Sequence, residues 1–194
     1  MWRYAALALL IGVASCGAAD QASNRTENGP VENTTLMKLD LTSEAFVEGQ
    51  AIPAQYTCDG ANRAPALRWN NPPEGTKSLA LVVDDPDAPD PAAPKQTWVH
   101  WVVFDVPATT SSLAAGAALP PGARPGRNDH GRERWNGPCP PIGRHRYVHK
   151  LYALDVTLGD AGPLTKAALE KAMKGHVLEQ AELVGTYQKK KTTE

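Results

Sequence analysis

The segment TWVHWVVFDV, residues 97–106, decides the fold of this chain. It is rich in β-branched and aromatic residues, which favour extended strands. Side chains of a strand alternate between two faces. The apolar residues divide as Trp98, Val102 and Phe104 on one face and Val99, Trp101 and Val103 on the other. Because both faces are apolar, we expect a central strand that is covered on both sides.

Two further segments have strand composition, SLALVVDD at 78–85 and RYVHKLYALDV at 146–156. The 17 prolines and 16 glycines of the chain disfavour long helices over most of its length. One helix is predicted at 166–174, with Thr165 as its cap and Gly175 at its end. Because few helices separate the strands, the predicted fold is mainly β, an antiparallel β-sandwich with one or two short C-terminal helices.

The first residues, MWRYAALALLIGVASC, resemble a bacterial lipoprotein signal that is cut before Cys16, the residue that then carries the lipid. The alternative is an ordinary signal cut near Ala18 or Ala19. We expect residues 1–15 to be the signal peptide and 16–36 a lipidated N-terminus and flexible tether, because the latter lack hydrophobic periodicity. Residues 37–191 then form one domain of about 150 residues.

The net charge of −1 argues against nucleic-acid binding, which normally needs a basic face. The run Lys189 to Lys191 is interpreted as a solvated tail. No internal repeat is evident. If Cys16 is lipidated, Cys58 and Cys139 remain as an even pair in an oxidising compartment. They are predicted to form either a disulfide or two buried thiols.

Two segments around the first strand, DPDAP at 85–89 and GPCPPIGRHRY at 137–147, gather carboxylates, histidines and prolines. Period-two alternation places Trp98 and His100 on one face of their strand, and His145 and Tyr147 on one face of another. An aspartate against a histidine keeps the ring oriented and partly protonated. An imidazolium and nearby backbone amides can hold a phosphate or another oxyanion. The alternatives are a solvated acidic turn and an ordinary core histidine.

Metal binding is not predicted. His145 and His149 stand four residues apart, which on a strand separates them by about 13 Å. The run DPDAPD lacks the glycine and the glutamate of a calcium loop. We therefore expect neither a metal nor a cofactor.

Several ordered motifs together resemble the phosphatidylethanolamine-binding protein family, in its bacterial Raf-kinase-inhibitor-like branch. They are CDGANRAPALRW (58–69), DPDAP, WVHW (98–101), GRNDHG (126–131), GPCPPIGRHRY and LYALD from residue 151. The resemblance spans 37–190. It implies a β-sandwich with an anion pocket near one end that accepts phosphate-bearing head groups.

The resemblance also implies which residues bind the ligand. They are Asp85, Asp87, Trp98, His100, Gly137, Cys139, Pro140, Pro141, His145 and Tyr147. Two positions depart from the family pattern. Cys139 stands where mammalian members have glycine, and Trp135 stands where many members have tyrosine, which can alter the choice of head group.

Catalysis is not expected, because the chain has no GxSxG nucleophile elbow and Cys139 is held between two prolines. The leading prediction is a ligand-binding module for a phosphate or phospholipid head group. One alternative is a kinase-inhibitor-like regulator that binds a protein partner, and another is a weak hydrolase using the Asp and His pair. The signal predicts an exported cell-envelope lipoprotein, anchored through Cys16. Gly17 points by resemblance to the outer membrane, with the domain facing the periplasm.

Overall fold

The computed structural model describes residues 38–190. The predicted signal peptide, the lipidation site at Cys16 and the tether at 16–36 lie outside the described residues. The predicted domain boundaries at 37 and 191 therefore stay a prediction.

The described chain is built mainly from strands. They are β1 (Asp40–Thr42), β2 (Leu67–Asn70), β3 (Ser78–Ala88), β4 (Gln96–Pro107), β5 (Ser112–Leu113), β6 (Arg124–Pro125), β7 (His145–Leu154) and β8 (Val177–Tyr187). A 3₁₀ turn spans Ala54–Tyr56, and helix α1 spans Lys166–Met173. The three strands predicted from composition correspond to β3, β4 and β7.

The strands form two antiparallel sheets, which confirms the predicted fold class. The small sheet has the order β1-β2-β5, and the large sheet has the order β6-β4-β3-β7-β8. The main core lies between them, where Leu67 and Trp69 of the small sheet pack with Leu79, Leu81 and Leu151 of the large sheet. Burial of this apolar surface is the main source of stability.

Helix α1 covers the opposite face of the large sheet. Its Leu169 and Met173 pack with a cluster that includes Val102 and Phe104 of β4. The Thr165 side chain accepts a hydrogen bond from the backbone N–H of Ala168, as the sequence predicted for a cap. Both faces of β4 are thus covered, as expected.

A second helix is absent from the described residues, because the chain beyond α1 forms strand β8. Strand β8 pairs with β7 along its whole length, from Val177 to Tyr187. Its residues alternate between buried and more exposed positions from Ala181 to Tyr187, which is strand periodicity. The run EQAEL within it favours a helix by local propensity. Pairing with β7 outweighs that preference.

Strand β4 is an inner strand of the large sheet, with β3 on one side and the two-residue strand β6 on the other. The predicted faces of β4 are wrong at one end of the strand. Val83 faces Trp101 and Asp84 faces Val99, so His100 is an extra residue without a cross-strand partner.

This β-bulge at His100 shifts the alternation of the strand. Val99 packs on the helix side with Val102 and Phe104, although the sequence placed it with Trp101 and Val103. Trp98 instead lies on the side of the large sheet that faces away from α1, and it lines a cavity there.

Candidate functional site

A cavity of about 250 Å³ opens where β3, β4 and β7 meet. It is lined by Asp85, Ala88, Pro89, Gln96, Trp98, His100, His130, Cys139, Pro140, Pro141, His145 and Tyr147. The end of β3, the start of β4, the start of β7 and the loop before β7 all contribute. The structure thus brings together all the predicted ligand-binding residues except Asp87 and Gly137.

The Asp85 carboxylate orients the ring of His145. Oδ2 of Asp85 lies 2.7 Å from Nδ1 of His145, and the other ring nitrogen lies 2.9 Å from the carbonyl oxygen of Ile142. Oδ1 of Asp85 accepts a hydrogen bond from the backbone N–H of Asp87 at 2.8 Å. Both ring nitrogens of His145 are therefore engaged within the protein, and its ring forms a fixed wall of the cavity.

His100 presents one ring nitrogen that is not engaged. Its Nδ1 lies 2.6 Å from the carbonyl oxygen of Asn136, so Nδ1 carries the hydrogen. Burial lowers the pKa of His100, which favours the neutral ring at neutral pH. In that form Nε2 is an acceptor, and it has no hydrogen-bond partner among residues 38–190.

The backbone at His100 is held by the segment that follows β6. Its carbonyl oxygen accepts hydrogen bonds from the side chain of Asn128 at 3.0 Å and from the backbone N–H of Asn136 at 3.1 Å. These bonds satisfy a carbonyl that the bulge removes from the regular ladder. The loop thereby fixes the position of the His100 ring.

Tyr147 contributes to the cavity wall. The side chain is fully buried, and its Oη atom has no hydrogen-bond partner in the described structure. Its ring meets the His100 ring edge to face, with centroids 5.1 Å apart. Burial raises the pKa of Tyr147 above its ordinary value, so the group remains a neutral O–H donor.

The sequence interpretation missed His130, which lines the cavity beside Trp98. The indole N–H of Trp98 donates to Nε2 of His130 at 3.0 Å. Burial, followed by the Arg132 charge, lowers the pKa of His130. The motif GRNDHG contains this histidine, and the Asn128 side chain shapes the turn by accepting from the backbone N–H groups of His130 and Arg132. The contact of His130 with Trp98 joins residues that are 32 apart in the sequence, which no local pattern reveals.

Asp87 does not line the cavity. Its carboxylate binds the Arg146 side chain, at 2.7 Å to Nη2 and 3.0 Å to Nε, and also accepts from the Arg146 backbone N–H. The side-chain hydrogen bond from Arg146 lowers the pKa of Asp87. Asp87 therefore fixes the first residues of β7 and acts on the cavity only through them.

Gly137 also lies away from the cavity. Its backbone N–H donates to Oδ1 of Asn62 at 2.7 Å, so this amide does not face the cavity. A Cβ atom at this position would lie 2.2 Å from the carbonyl oxygen of Tyr56. The glycine is needed for close packing of two loops.

Cys58 and Cys139 are joined by a disulfide, with Cα atoms 5.4 Å apart. Of the two predicted alternatives, the structure has the bonded pair. The bond ties the loop before β7 to the segment after the 3₁₀ turn. Cys139 therefore has no thiol with which to act as a nucleophile.

The described residues contain no cluster of three or more His, Cys, Asp or Glu side chains arranged to hold a metal. Within residues 38–190, no helix combines the length and apolar character needed to cross a membrane.

The fold is a β-sandwich with a small pocket of mixed polar and apolar lining at one end of the large sheet. The family model described as phosphatidylethanolamine-binding protein matches residues 42–188. The chain belongs to the phosphatidylethanolamine-binding protein family, as the sequence motifs predicted.

Comparisons with individual proteins agree with this assignment. A UPF0098 protein of Methanothermobacter thermautotrophicus is 43% identical over 155 residues, covering 78% of this chain and 99% of the relative. The crystal structure of a Chlamydia trachomatis protein, described as a homologue of phosphatidylethanolamine-binding protein, has a TM-score of 0.74 and 42% identity. The match covers 79% of this chain and 99% of the other. Escherichia coli YbcL, described as a member of the mammalian family, has a TM-score of 0.71 and 32% identity, covering 79% of this chain and all (100%) of the other.

Proposed function

We propose that this protein is a binding module that holds a phosphate or a phosphorylated head group in the cavity. The observation that carries the proposal is the buried Tyr147 hydroxyl without a partner. Leaving such a group unsatisfied costs about 1–3 kcal/mol. A ligand oxygen would accept its hydrogen bond and remove that cost when a shift of the side chain exposes the hydroxyl, which the free cavity does not reach. The name of the matching family supports the same class of ligand.

Some residues of the cavity contact the ligand, and others hold the shape of the cavity. Tyr147 donates to a ligand oxygen, and Nε2 of His100 receives a proton from the ligand or from solvent and then shares it with a second oxygen. The ring of His145 has both nitrogens occupied, so this histidine shapes the cavity without donating to the ligand. The sequence interpretation expected both histidines to contact the anion, and the geometry favours His100 alone.

The geometry favours binding over hydrolysis. The Asp85–His145 pair is engaged in hydrogen bonds within the protein, at both carboxylate oxygens and at both ring nitrogens. The free Nε2 lone pair of His100 has no carboxylate partner on the other side of its ring, because Nδ1 faces the Asn136 carbonyl oxygen. The cavity lining also lacks serine, threonine and lysine, and its cysteine is oxidised.

Calorimetric titration of the full chain with phosphate and with phosphoethanolamine tests this proposal. We expect saturable heat in the wild type and a loss of affinity of about tenfold or more in His100→Ala. His176→Ala, which alters an exposed histidine paired with Asp155, is the matched control and should bind normally. Equal affinity in all three proteins, each with a native thermal midpoint, would rule out the cavity as the binding site.

We further propose that the protein is an exported, lipid-anchored component of the cell envelope. The lipobox-like sequence around Cys16 motivates this, and the Cys58–Cys139 disulfide supports it because such bonds persist in oxidising compartments. Mass spectrometry of the mature protein is the test. A first residue other than an acylated Cys16 would contradict the anchor.

A further inference from the structure

A second groove adjoins the cavity on the outer side of Pro140 and Pro141. Its volume is about 420 Å³, and it is lined by residues 140–143 and 188–190. Pro140 and Pro141 line both spaces. These two prolines therefore form a ridge between the cavity and the groove.

The groove carries unpaired positive charge. Lys189 and Lys190 are exposed, and neither ammonium lies within salt-bridge distance of a carboxylate in residues 38–190. Arg144, which follows the groove residue Gly143 in the chain, is also exposed, and its side chain donates to the Thr186 hydroxyl at 3.5 Å. The carboxylate near these lysines is Asp59, whose Oδ2 already accepts from the Tyr187 hydroxyl and the Lys190 backbone.

An exposed apolar side chain lies among these charges. Ile142 is 57% exposed, one of only a few large apolar residues of the described chain to be so accessible. Its carbonyl oxygen is bound by His145 at 2.9 Å, which fixes the backbone at this point of the ridge. The side chain is thus presented by a rigid segment at the edge of the cavity.

We propose that Ile142, Arg144, Lys189 and Lys190, here called the basic rim, dock the protein on a bilayer surface that contains anionic phospholipid. Each cation near such a surface contributes about 1 kcal/mol, and an apolar side chain adds more by entering the interface. Three cations around one exposed isoleucine suit a headgroup layer. A stable protein partner needs about 20–30 residues on each side, and the rim consists of four.

Docking by the basic rim would place the cavity against the headgroups. Only the ridge of Pro140 and Pro141 separates the cavity from the groove beside the basic rim. The rim therefore supplies affinity for the surface, while His100 and Tyr147 contact one head group. The contact of His100 and Tyr147 with a head group rests on the function proposed above, whereas the affinity of the basic rim for the surface does not.

Co-sedimentation with phosphatidylcholine vesicles, with and without phosphatidylglycerol, tests the rim. The full chain is made by cell-free synthesis without membranes, so that Cys16 stays unacylated and every variant carries the same N-terminus. Lys189→Glu/Lys190→Glu is compared with Lys77→Glu/Lys174→Glu, which makes the same charge change at two exposed lysines outside the rim. Ile142→Ser is compared with Val177→Ser.

The rim variants should bind vesicles containing phosphatidylglycerol about tenfold or more weakly than the wild type, and the control variants within about twofold of it. Phosphoethanolamine affinity in solution should be unchanged in all of them. Equal loss in rim and control variants, or wild-type binding that ignores phosphatidylglycerol, would overturn the inference. Normal phosphoethanolamine binding by His100→Ala would instead refute the proposed function and leave the vesicle result standing.

Discussion

The Nδ1 atom of His145 lies 2.7 Å from Oδ2 of Asp85, across 60 residues of sequence. Because Nε2 of the same ring faces the Ile142 carbonyl, both hydrogen bonds form only when the pair holds two protons. The pair is then neutral overall, whichever partner carries the shared proton. It shapes the cavity without adding net charge to it.

This arrangement predicts that Asp85→Asn is tolerated and Asp85→Ala is not. The asparagine amide can donate to Nδ1 of His145 while its oxygen accepts from the Asp87 N–H. We expect Asp85→Asn to lower the free energy of unfolding by about 1 kcal/mol and Asp85→Ala by about 3–4 kcal/mol, measured by urea denaturation. Equal losses would contradict this account of the pair.

Tyr147→Phe should separate stability from binding. Removing a hydroxyl that has no protein partner should leave the free energy of unfolding unchanged or raise it by about 1 kcal/mol. Phosphate affinity should fall by about fivefold to tenfold, because the O–H donor is lost. Thermal denaturation and calorimetry measure the two effects, and a marked loss of stability would show that the hydroxyl has a partner within the protein.

Binding should weaken as pH rises above neutrality. The pKa of His100 is lowered by burial, so the free site holds a neutral ring, and a phosphorylated ligand is largely dianionic above its second pKa of about 6. The complex must then take up one proton. Affinity should fall by about tenfold per pH unit between about pH 7 and 8.

The matched variant for this pH dependence is His100→Gln, whose amide N–H donates without taking up a proton. Its affinity for phosphoethanolamine should be nearly flat over the same range. A flat profile in the wild type would show that His100 does not share a proton with the ligand.

Acid should destabilise the protein through His149. Its ring is fully buried and near Phe46 and Trp135, and burial lowers the pKa to about 4. Since the unfolded chain has a pKa near 6.5, this contribution is complete above about pH 6.5 and is lost as pH falls toward about 4. The loss should be about 2–3 kcal/mol at about pH 4.5.

Urea denaturation of the wild type and His149→Gln, at neutral and acid pH, measures how much of the acid-induced loss of unfolding free energy is due to His149. The variant should be less sensitive to acid than the wild type, and His176→Gln should behave like the wild type. An unchanged acid response in His149→Gln would assign the effect to other groups.

The Cys58–Cys139 bond should contribute strongly to stability. The bond closes a loop between residues that are 81 apart in the sequence. Cross-linking a loop of this length lowers the conformational entropy of the unfolded chain and so raises the free energy of unfolding by about 4 kcal/mol. We expect Cys58→Ser/Cys139→Ser to lower the free energy of unfolding, measured by urea denaturation, by that amount. Dithiothreitol should then have no effect on the stability of the variant. A variant as stable as the oxidised wild type would show that native-state strain cancels the gain.

Local patterns in the sequence predicted β3, β4, β7 and α1, because composition and capping act over a few residues. Strand β8 was missed, since its helix-forming residues are overruled by pairing with β7 from Val177 to Tyr187. The short strands have two to four residues and carry too little pattern to be recognised.

His145 and Tyr147 line the cavity together, as strand alternation predicted, but whether they bind a ligand stays a prediction. Asp87 and Gly137 lie outside the cavity, because their partners Arg146 and Asn62 are known only once the loops are folded. His130 was missed because its contact with Trp98 is made only in the folded chain. Trp98 and His100 do face one cavity, but they do so through a bulge that simple period-two counting does not include.

The bulge has a consequence for insertions and deletions. Since Val83 pairs with Trp101 and Asp84 with Val99, removing residue 100 would leave an unbroken run of pairs with β4 from Leu81 to Asp85 of β3. The sheet could therefore keep its register while the chain lost its ligand-facing imidazole. In this fold, the presence of one extra residue in β4 decides whether the pocket contains the imidazole of His100. A deletion at this point can therefore change ligand binding while the β-sandwich stays intact.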